Sequence, residues 1–537
     1  MDRRQFMKRG SALAALLAGG GLAACSDDDD TASSSASTSG GSESTSATES
    51  ASASASEPAA EPEEEVVEID GGTVRVGLLA APSDTLNPAS VTGIMDYAAL
   101  FAIHDSLVLL KGDSFELSLA ESIEPNADGS EWTIVIREGA TWHDGSPVTA
   151  ADVVYSLGLY GASPNYGQFF ALIDLANMAA VDDRTISVPM AVPRADLVES
   201  ILGQLSVIVP EGFTDFGNNV GSGPFILESY EPGVGVSVVR NPDYWGGAPS
   251  IERVEFTAIT EASTRARALS SGELEYAGSL DAAAAETLAG SDGVSVLLGG
   301  SENSTVRCFA FNRTQAPFDN PSVIEACKLA VDRQQLIDVV TFGNAELGND
   351  MPSRGFAGYP SDVPQRERDV ARATELFAEA GVSEFTIRAA DFVPGIVASA
   401  ELYAQQLAEC GVTATVDVGD PLTYFNDFAQ VLSTPCQSFY FINRPAATLL
   451  SSYTGSGAAF NVFGSFDPEY DAGLSAALSD LDPESRTAQL SELLRVVHDE
   501  EGWLVWGFED QIEGVVDTLT GVDLSQSVPL FNAATLG

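Results

Sequence analysis

Nucleophilic or metal chemistry needs side chains that this sequence mostly withholds. It has three histidines, His104, His143 and His498, too few and too scattered for a triad or a His-rich metal site. No G-x-S-x-G, H-E-x-x-H or phosphate-loop pattern occurs, and no two cysteines stand in C-x-x-C spacing. Carboxylates abound, but among 78 acids a close pair says nothing about acid–base work. What remains suits binding. Tyr440 and Phe441 precede a turn at Pro445 and can present ring faces to a small molecule. Tyr453 and Asn461 flank the Gly/Ser-rich stretch 454–457, where backbone can approach a ligand closely. Asn87 and Met95 follow the first strand-like run, and ligands of α/β sheets gather at the carboxyl ends of strands. No catalytic residue, cofactor or metal is expected, and a secreted hydrolase is an alternative without a motif behind it.

Cysteine chemistry divides in two. Leu22-Ala-Ala-Cys25 matches a lipobox, in which the Cys25 thiol is acylated and becomes the first residue. Cys308, Cys327, Cys410 and Cys436 sit in the body of an exported chain, where pairing is the expectation and three connectivities are open. Cys410 ends a helix-like run and Cys436 opens a strand-like one, which favours Cys410–Cys436 with Cys308–Cys327.

The elements that must position these groups begin only after a long leader. Residues 1–24 read as a signal peptide: Arg3 and Arg4, with Gln5-Phe-Met-Lys8, match the twin-arginine pattern, and Ser11 to Ala24 is a weakly apolar stretch too short to span a bilayer. Residues 25–72 hold no aromatic and no basic residue and consist mainly of Ser, Thr, Ala and blocks of acid. Such a segment cannot bury enough apolar surface to order itself and reads as a disordered tether. The body from Thr73 carries 21 basic and 64 acidic residues, a net charge of −43 within the −53 of all 537 residues. That excludes a phosphate-backbone binder, because no surplus of cations exists to release counterions. The acid excess and the scarcity of lysine fit either a saline habitat or a GC-rich genome.

Within the body, strands and helices alternate. Thr73 to Leu79 reads as a buried strand, Trp132 to Arg137 as an alternating one, and Thr149 to Leu159 as a helix with Thr149 as cap and Asp152 in its first turn. Val306 to Phe311 is a strand, Val323 to Val340 a long helix, and Arg368 to Glu379 a helix stopped by Gly381. Phe385 to Ala390, Thr413 to Val418 and Ser438 to Ile442 are strands at βαβ spacing.

Several of these stretches carry longer signatures. Leu119-Ala-Glu-Ser-Ile123, Trp132-Thr-Ile-Val-Ile-Arg-Glu-Gly139 and Trp142-His-Asp-Gly-Ser-Pro-Val-Thr-Ala-Ala-Asp-Val-Val-Tyr155 form one block. Gly221-Ser-Gly-Pro-Phe-Ile226 and Arg240-Asn-Pro-Asp-Tyr-Trp-Gly-Gly-Ala-Pro249 form a second, and Pro317-Phe-Asp319 with Ala330-Val-Asp-Arg333 a third. Together they resemble the family 5 extracellular solute-binding proteins, the peptide and nickel type, of ABC importers. The resemblance implies a two-lobed α/β fold of the periplasmic-binding-protein type with the ligand cleft between lobes. It implies lobe I over 73–305, with an extra subdomain at about 99–206, lobe II over 306–505, and a C-terminal return to lobe I over 506–537. It further implies a monomeric, lipid-anchored receptor outside the cell membrane, handing a peptide or similar solute to permease subunits, with no nucleic-acid partner. A sensor that binds without transport is the alternative.

One place departs from the pattern. Peptide binders of this type resemble G-W-x-x-D-x-x-(D/E)-P, whose aspartate holds a peptide's ammonium. Anchored on Pro445, the aspartate position falls on Phe441 and the second acid on Arg444; a gap would bring Asn443 to the aspartate. The ammonium clamp is missing, and Arg444 suits a carboxylate unless one of the many acids pairs with it. The resemblance also implies hinge strands near Val306 to Asn312 and Trp503 to Glu509, and Phe508, at the second, completes the candidates.

Overall fold

In the computed structural model the described residues are 71–537, apart from 82–83, 165, 204–205, 219, 392, 422, 426 and 466. The signal peptide, Cys25 and the tether up to residue 70 lie outside them. Thr73–Leu78 is the first strand, with Val74, Val76 and Leu78 fully buried. It lies in the middle of a seven-stranded sheet, parallel to Arg253–Ala258 on one side and to Tyr276–Ala277 on the other. Gly235–Arg240 and Phe225–Glu231 extend one edge, and Ile512–Val516 and Val294–Leu298 the other.

In a second sheet of six strands Thr305–Phe311 pairs antiparallel with Trp503–Glu509, beyond which Ala345–Leu347 forms the edge. Cys436–Ile442, Glu384–Ala389 and Thr413–Val418 follow on one side. Near-continuous apolar runs such as Cys436–Ile442 are what a sheet covered on both faces requires. Each sheet has its own core: one cluster is drawn from residues 306–508, another from 74–276 and 515–534. The molecule therefore has two lobes. The chain crosses between them after Val294–Leu298 and returns after Trp503–Glu509. Beside the crossing, Arg307 Nε donates to Glu509 Oε2 at 2.6 Å, and the strand register shifts between Arg307 and Cys308.

The signature blocks are mostly scaffold. His143 bridges the Gly221-Ser-Gly-Pro turn: the Gly221 N–H donates to Nδ1 at 3.1 Å, and Nε2 lies 3.1 Å from the Gly223 carbonyl. A Cβ at Gly221 would stand 1.8 Å from the Ile103 carbonyl oxygen, so only glycine fits there. Tyr244 and Trp245 donate to the buried Asp105 carboxylate at 2.8 and 2.7 Å, and Arg137 stacks 4.1 Å from the Trp245 ring. The helix at Ala150–Gly161 starts where Thr149 is expected to cap it, and the Thr149 N–H donates to Asp152 Oδ2 at 2.7 Å.

Three expectations change. The long helix over 323–340 is two, Pro321–Ala330 and Arg333–Val340. Asp332 leaves the helix and caps the second, accepting from the Gln335 N–H at 2.9 Å. Arg333, the first residue of the second helix, pairs with Asp350 at 2.6 Å. All four body cysteines are free and buried, so neither Cys308–Cys327 nor Cys410–Cys436 is a disulfide in this structure. Cys308 turns its thiol to the Phe439 carbonyl at 3.6 Å, while the thiol neighbours of Cys327 are Cys410 and Cys436. Cys410 faces the Thr374 hydroxyl. Burial pushes the Cys308 and Cys327 thiols up, so neither is a ready thiolate.

Candidate functional site

Between the lobes lies a cavity of about 320 Å³, the scale of a small-molecule site. Its walls come from three parts of the chain. Lobe I supplies Thr92, Ile94, Tyr97, Tyr166 and Phe169; the C-terminal return supplies Gln526, Ser527 and Val528; lobe II supplies the rest. Helical geometry selects the first group. Ile94 and Tyr97 are three residues apart on helix Ile94–Ile103 and share a face. Tyr97 and Tyr166 are pinned by one acceptor, each donating its hydroxyl to the Val91 carbonyl, at 3.2 and 2.9 Å.

The lobe II wall is an aromatic sheet-end. Phe439, Tyr440, Phe441 and Ile442 close strand Cys436–Ile442, and helix Ala446–Tyr453 follows at once. Phe441 stacks on Tyr453 at 4.9 Å, Tyr453 on Phe460 at 5.6 Å, and Phe428 meets Phe460 edge-on at 5.5 Å. Such chains of rings hold one another in place and present a rigid apolar face. Half of the lining residues are aromatic, and none is acidic.

Among the described residues of the lining, Arg444 is the one that carries a charge. Its Nη1 donates to the Asn443 carbonyl at 2.9 Å and reaches Ser527 Oγ at 3.5 Å. Among the described residues no carboxylate pairs with it. The side chain keeps some solvent exposure, yet its guanidinium sits among groups apolar enough that burial alone pulls its pKa from 12.5 to about 10. Ser527 opposite has φ +60°, the left-handed region that non-glycine residues rarely occupy. The lobes also touch beside the cavity: Thr448 Oγ1 donates to the Glu199 carbonyl at 3.1 Å, and Arg486 pairs with the Glu199 carboxylate at 3.0 Å.

Of the residues singled out from sequence, Tyr440, Phe441, Arg444 and Tyr453 line this cavity. The others are placed elsewhere. Asn87 spends its side chain on a local turn, accepting from the Ala89 N–H at 3.0 Å. Met95, fully buried, lies on another face of the helix that offers Ile94 and Tyr97. Asn443 braces three loops, donating to the Ser301 and Arg354 carbonyls at 2.8 and 2.7 Å and accepting from the Ser353 N–H at 2.9 Å. Asn461 donates to the Gly455 and Ser465 carbonyls at 2.9 and 2.7 Å. Phe508 is core of the second sheet. Sequence reasoning missed Tyr97, Tyr166, Phe169, Phe425, Phe428 and Phe460. The density of Phe and Tyr from 424 to 460 was the available signal, but a buried ring in a core gives the same one. No group of His, Cys, Asp and Glu among the described residues could hold a metal ion.

Residues 114–455 match the family described as bacterial extracellular solute-binding proteins, family 5. A glutathione-binding protein of Salmonella typhimurium, GsiB, is 25% identical over 461 residues, which cover 81% of this chain and 89% of that protein. In structure, the chain resembles HbpA2 of Haemophilus parasuis with a TM-score of 0.76 at 21% identity, over 87% of this chain and all (100%) of that one. It also resembles the periplasmic binding protein DppA of Helicobacter pylori, solved with the peptide STSA, with a TM-score of 0.70 at 21% identity over 87% and 98% of the two chains.

Proposed function

This chain belongs to the bacterial extracellular solute-binding proteins of family 5, and from that premise we propose that it is a lipid-anchored receptor that captures a peptide or peptide-like solute and delivers it to an ABC importer. The observation that carries the reading is the interlobe cavity, walled by lobe I, lobe II and the C-terminal return together. A ligand held there bridges both lobes, so its contacts favour the closed arrangement over an open one. Similarity to GsiB and to the peptide complex of DppA supports a peptide-like cargo.

The anchor rests on Leu22-Ala-Ala-Cys25. No helix of the described residues is long and apolar enough to cross a membrane. Substituting Cys25→Ala should move the protein from the membrane fraction to the soluble one. Capture is tested by thermal unfolding against di- and oligopeptides, N-blocked peptides and glutathione. Stabilisation by at least one solute is expected; no response to any of them refutes the receptor reading.

A further inference from the structure

A receptor for ordinary peptides must hold an ammonium as well as a carboxylate. In a body with 64 acidic residues, an acid at the cavity would be the default, yet none of the described residues lining it is acidic. The tyrosine hydroxyls of Tyr97 and Tyr166 are both committed to the Val91 carbonyl. A buried ammonium left without an anionic partner is strongly disfavoured. The opposite charge is provided for. Arg444 lines the cavity, and among the described residues no carboxylate pairs with it; it donates to the Asn443 carbonyl and reaches Ser527 Oγ. An arginine kept charged in such surroundings is itself short of an anion. The rest of the wall is ten aromatic rings with aliphatic and uncharged polar side chains between them.

Building on the receptor reading above, we propose that the cavity takes a monoanionic solute with an aromatic or otherwise apolar body and no free ammonium. An amine-blocked apolar peptide acid and an aryl-substituted carboxylic acid share that chemistry. The carboxylate pairs with the Arg444 guanidinium beside the Ser527 hydroxyl, and the apolar body lies along Phe441, Tyr453 and Phe460. Glutathione and free dipeptides, which bring an ammonium, are excluded by the same wall.

Calorimetric titration of the full chain separates these classes. The probes are N-acetyl-Phe-Phe, 4-phenylbutyrate, the amide of N-acetyl-Phe-Phe, free Phe-Phe and glutathione. At least one of the two acids should bind, and N-acetyl-Phe-Phe should bind roughly 10-fold or more tighter than its amide and than free Phe-Phe, the scale of a charge-assisted pair. Arg444→Gln should remove that preference by weakening the acid far more than the amide, and Arg444→Lys should restore part of it. Binding of 4-phenylbutyrate without N-acetyl-Phe-Phe assigns the aryl acids; the reverse assigns the blocked peptides. Equal affinity for acid and amide, or tighter binding of Phe-Phe or glutathione, overturns this inference and leaves the receptor reading standing. No binding by any of the five overturns this inference, while the receptor reading falls only if the wider panel of di- and oligopeptides is silent as well.

Discussion

Asp96 should make lobe I more stable in mild acid than at neutral pH. It sits in the first turn of helix Ile94–Ile103, fully buried at 0% exposure, beside the residues that line the cavity. Neither carboxylate oxygen has a hydrogen-bond partner of good geometry. Burial, then the nearby Asp84 carboxylate, raises its pKa from 3.8 to about 7, and the Thr85 backbone N–H offsets this only in part. The folded protein therefore holds a proton that the unfolded chain releases between pH 4 and 7. Stability falls as pH rises through that window, and the full penalty is present above pH 7. At about 1.4 kcal/mol per pH unit the penalty approaches ~4 kcal/mol. The helix N-terminal dipole favours a charge in the first turn by about 1 kcal/mol, which leaves about 3 kcal/mol. Asp96→Asn mimics the protonated form. At pH 8 it should raise Tm by roughly 6–12 °C, at 2–4 °C per kcal/mol for a lobe-sized unit. At pH 4 the two proteins should melt together. Scanning calorimetry of both from pH 4 to 8 gives the comparison, and the pH dependence common to all the other acids cancels in the difference. A constant offset between them, or a variant less stable at pH 8, refutes the reasoning.

Two further outcomes concern the scaffold. Asp350, fully buried, accepts from Arg333 at 2.6 Å and from Arg366 at 2.8 Å, beside Lys328, whose amine burial draws down to about 8. Asp350→Asn strips the anion from three cations and should cost about 3–5 kcal/mol in urea unfolding; a loss under about 1 kcal/mol means that water or rearrangement satisfies them. Ser527→Gly relieves the backbone at φ +60° and should stabilise the protein by about 1 kcal/mol, read as a higher Tm. A lower Tm would mean that the Ser527 hydroxyl, 3.5 Å from Arg444 and from Asn303, matters more than the backbone.

The fold was legible because its signals are local and repeated. Strand Thr413–Val418 coincides with its alternating run, and Thr149 and Gly381 mark a helix start and a helix stop. The helix break at Asp332 was missed because apolar periodicity runs through it; the deciding interaction is the Gln406 carboxamide, which takes the Asp332 N–H at 2.9 Å from 74 residues away. The candidate site divides the same way. Tyr440, Phe441 and Arg444 reach the cavity together because they lead into one Pro445 turn, and Tyr453 joins them from the far end of the helix that this turn starts. Met95 failed by the angle of a single helical residue, since only its neighbours Ile94 and Tyr97 reach the cavity. Asn443 and Asn461 failed because a buried carboxamide is most often used to satisfy backbone, as both do here. Tyr166, Phe428 and Val528 meet at one cavity from three distant parts of the sequence, and nothing local encodes that meeting.

Charge connects the surface to the cavity, and gives a way to read the ligand's sign without knowing its identity. A body of net charge −43 repels an approaching anion over about one Debye length, roughly 30 Å at 0.01 M salt and 8 Å at 0.15 M. Inside, Arg444 acts at contact distance among rings, where mobile ions screen little. Salt should therefore act on the two rates separately. For the anionic solute argued above, the association rate should climb by a factor of about 10 from 0.01 to 0.3 M salt, while the dissociation rate stays nearly constant. For a cation, association should slow as salt is added, and for a zwitterion it should hardly move. Stopped-flow fluorescence with whichever solute stabilises the protein measures both rates. An association rate that falls with salt would mean that the acidic surface steers the ligand in, and the pairing of Arg444 with a carboxylate would then be wrong.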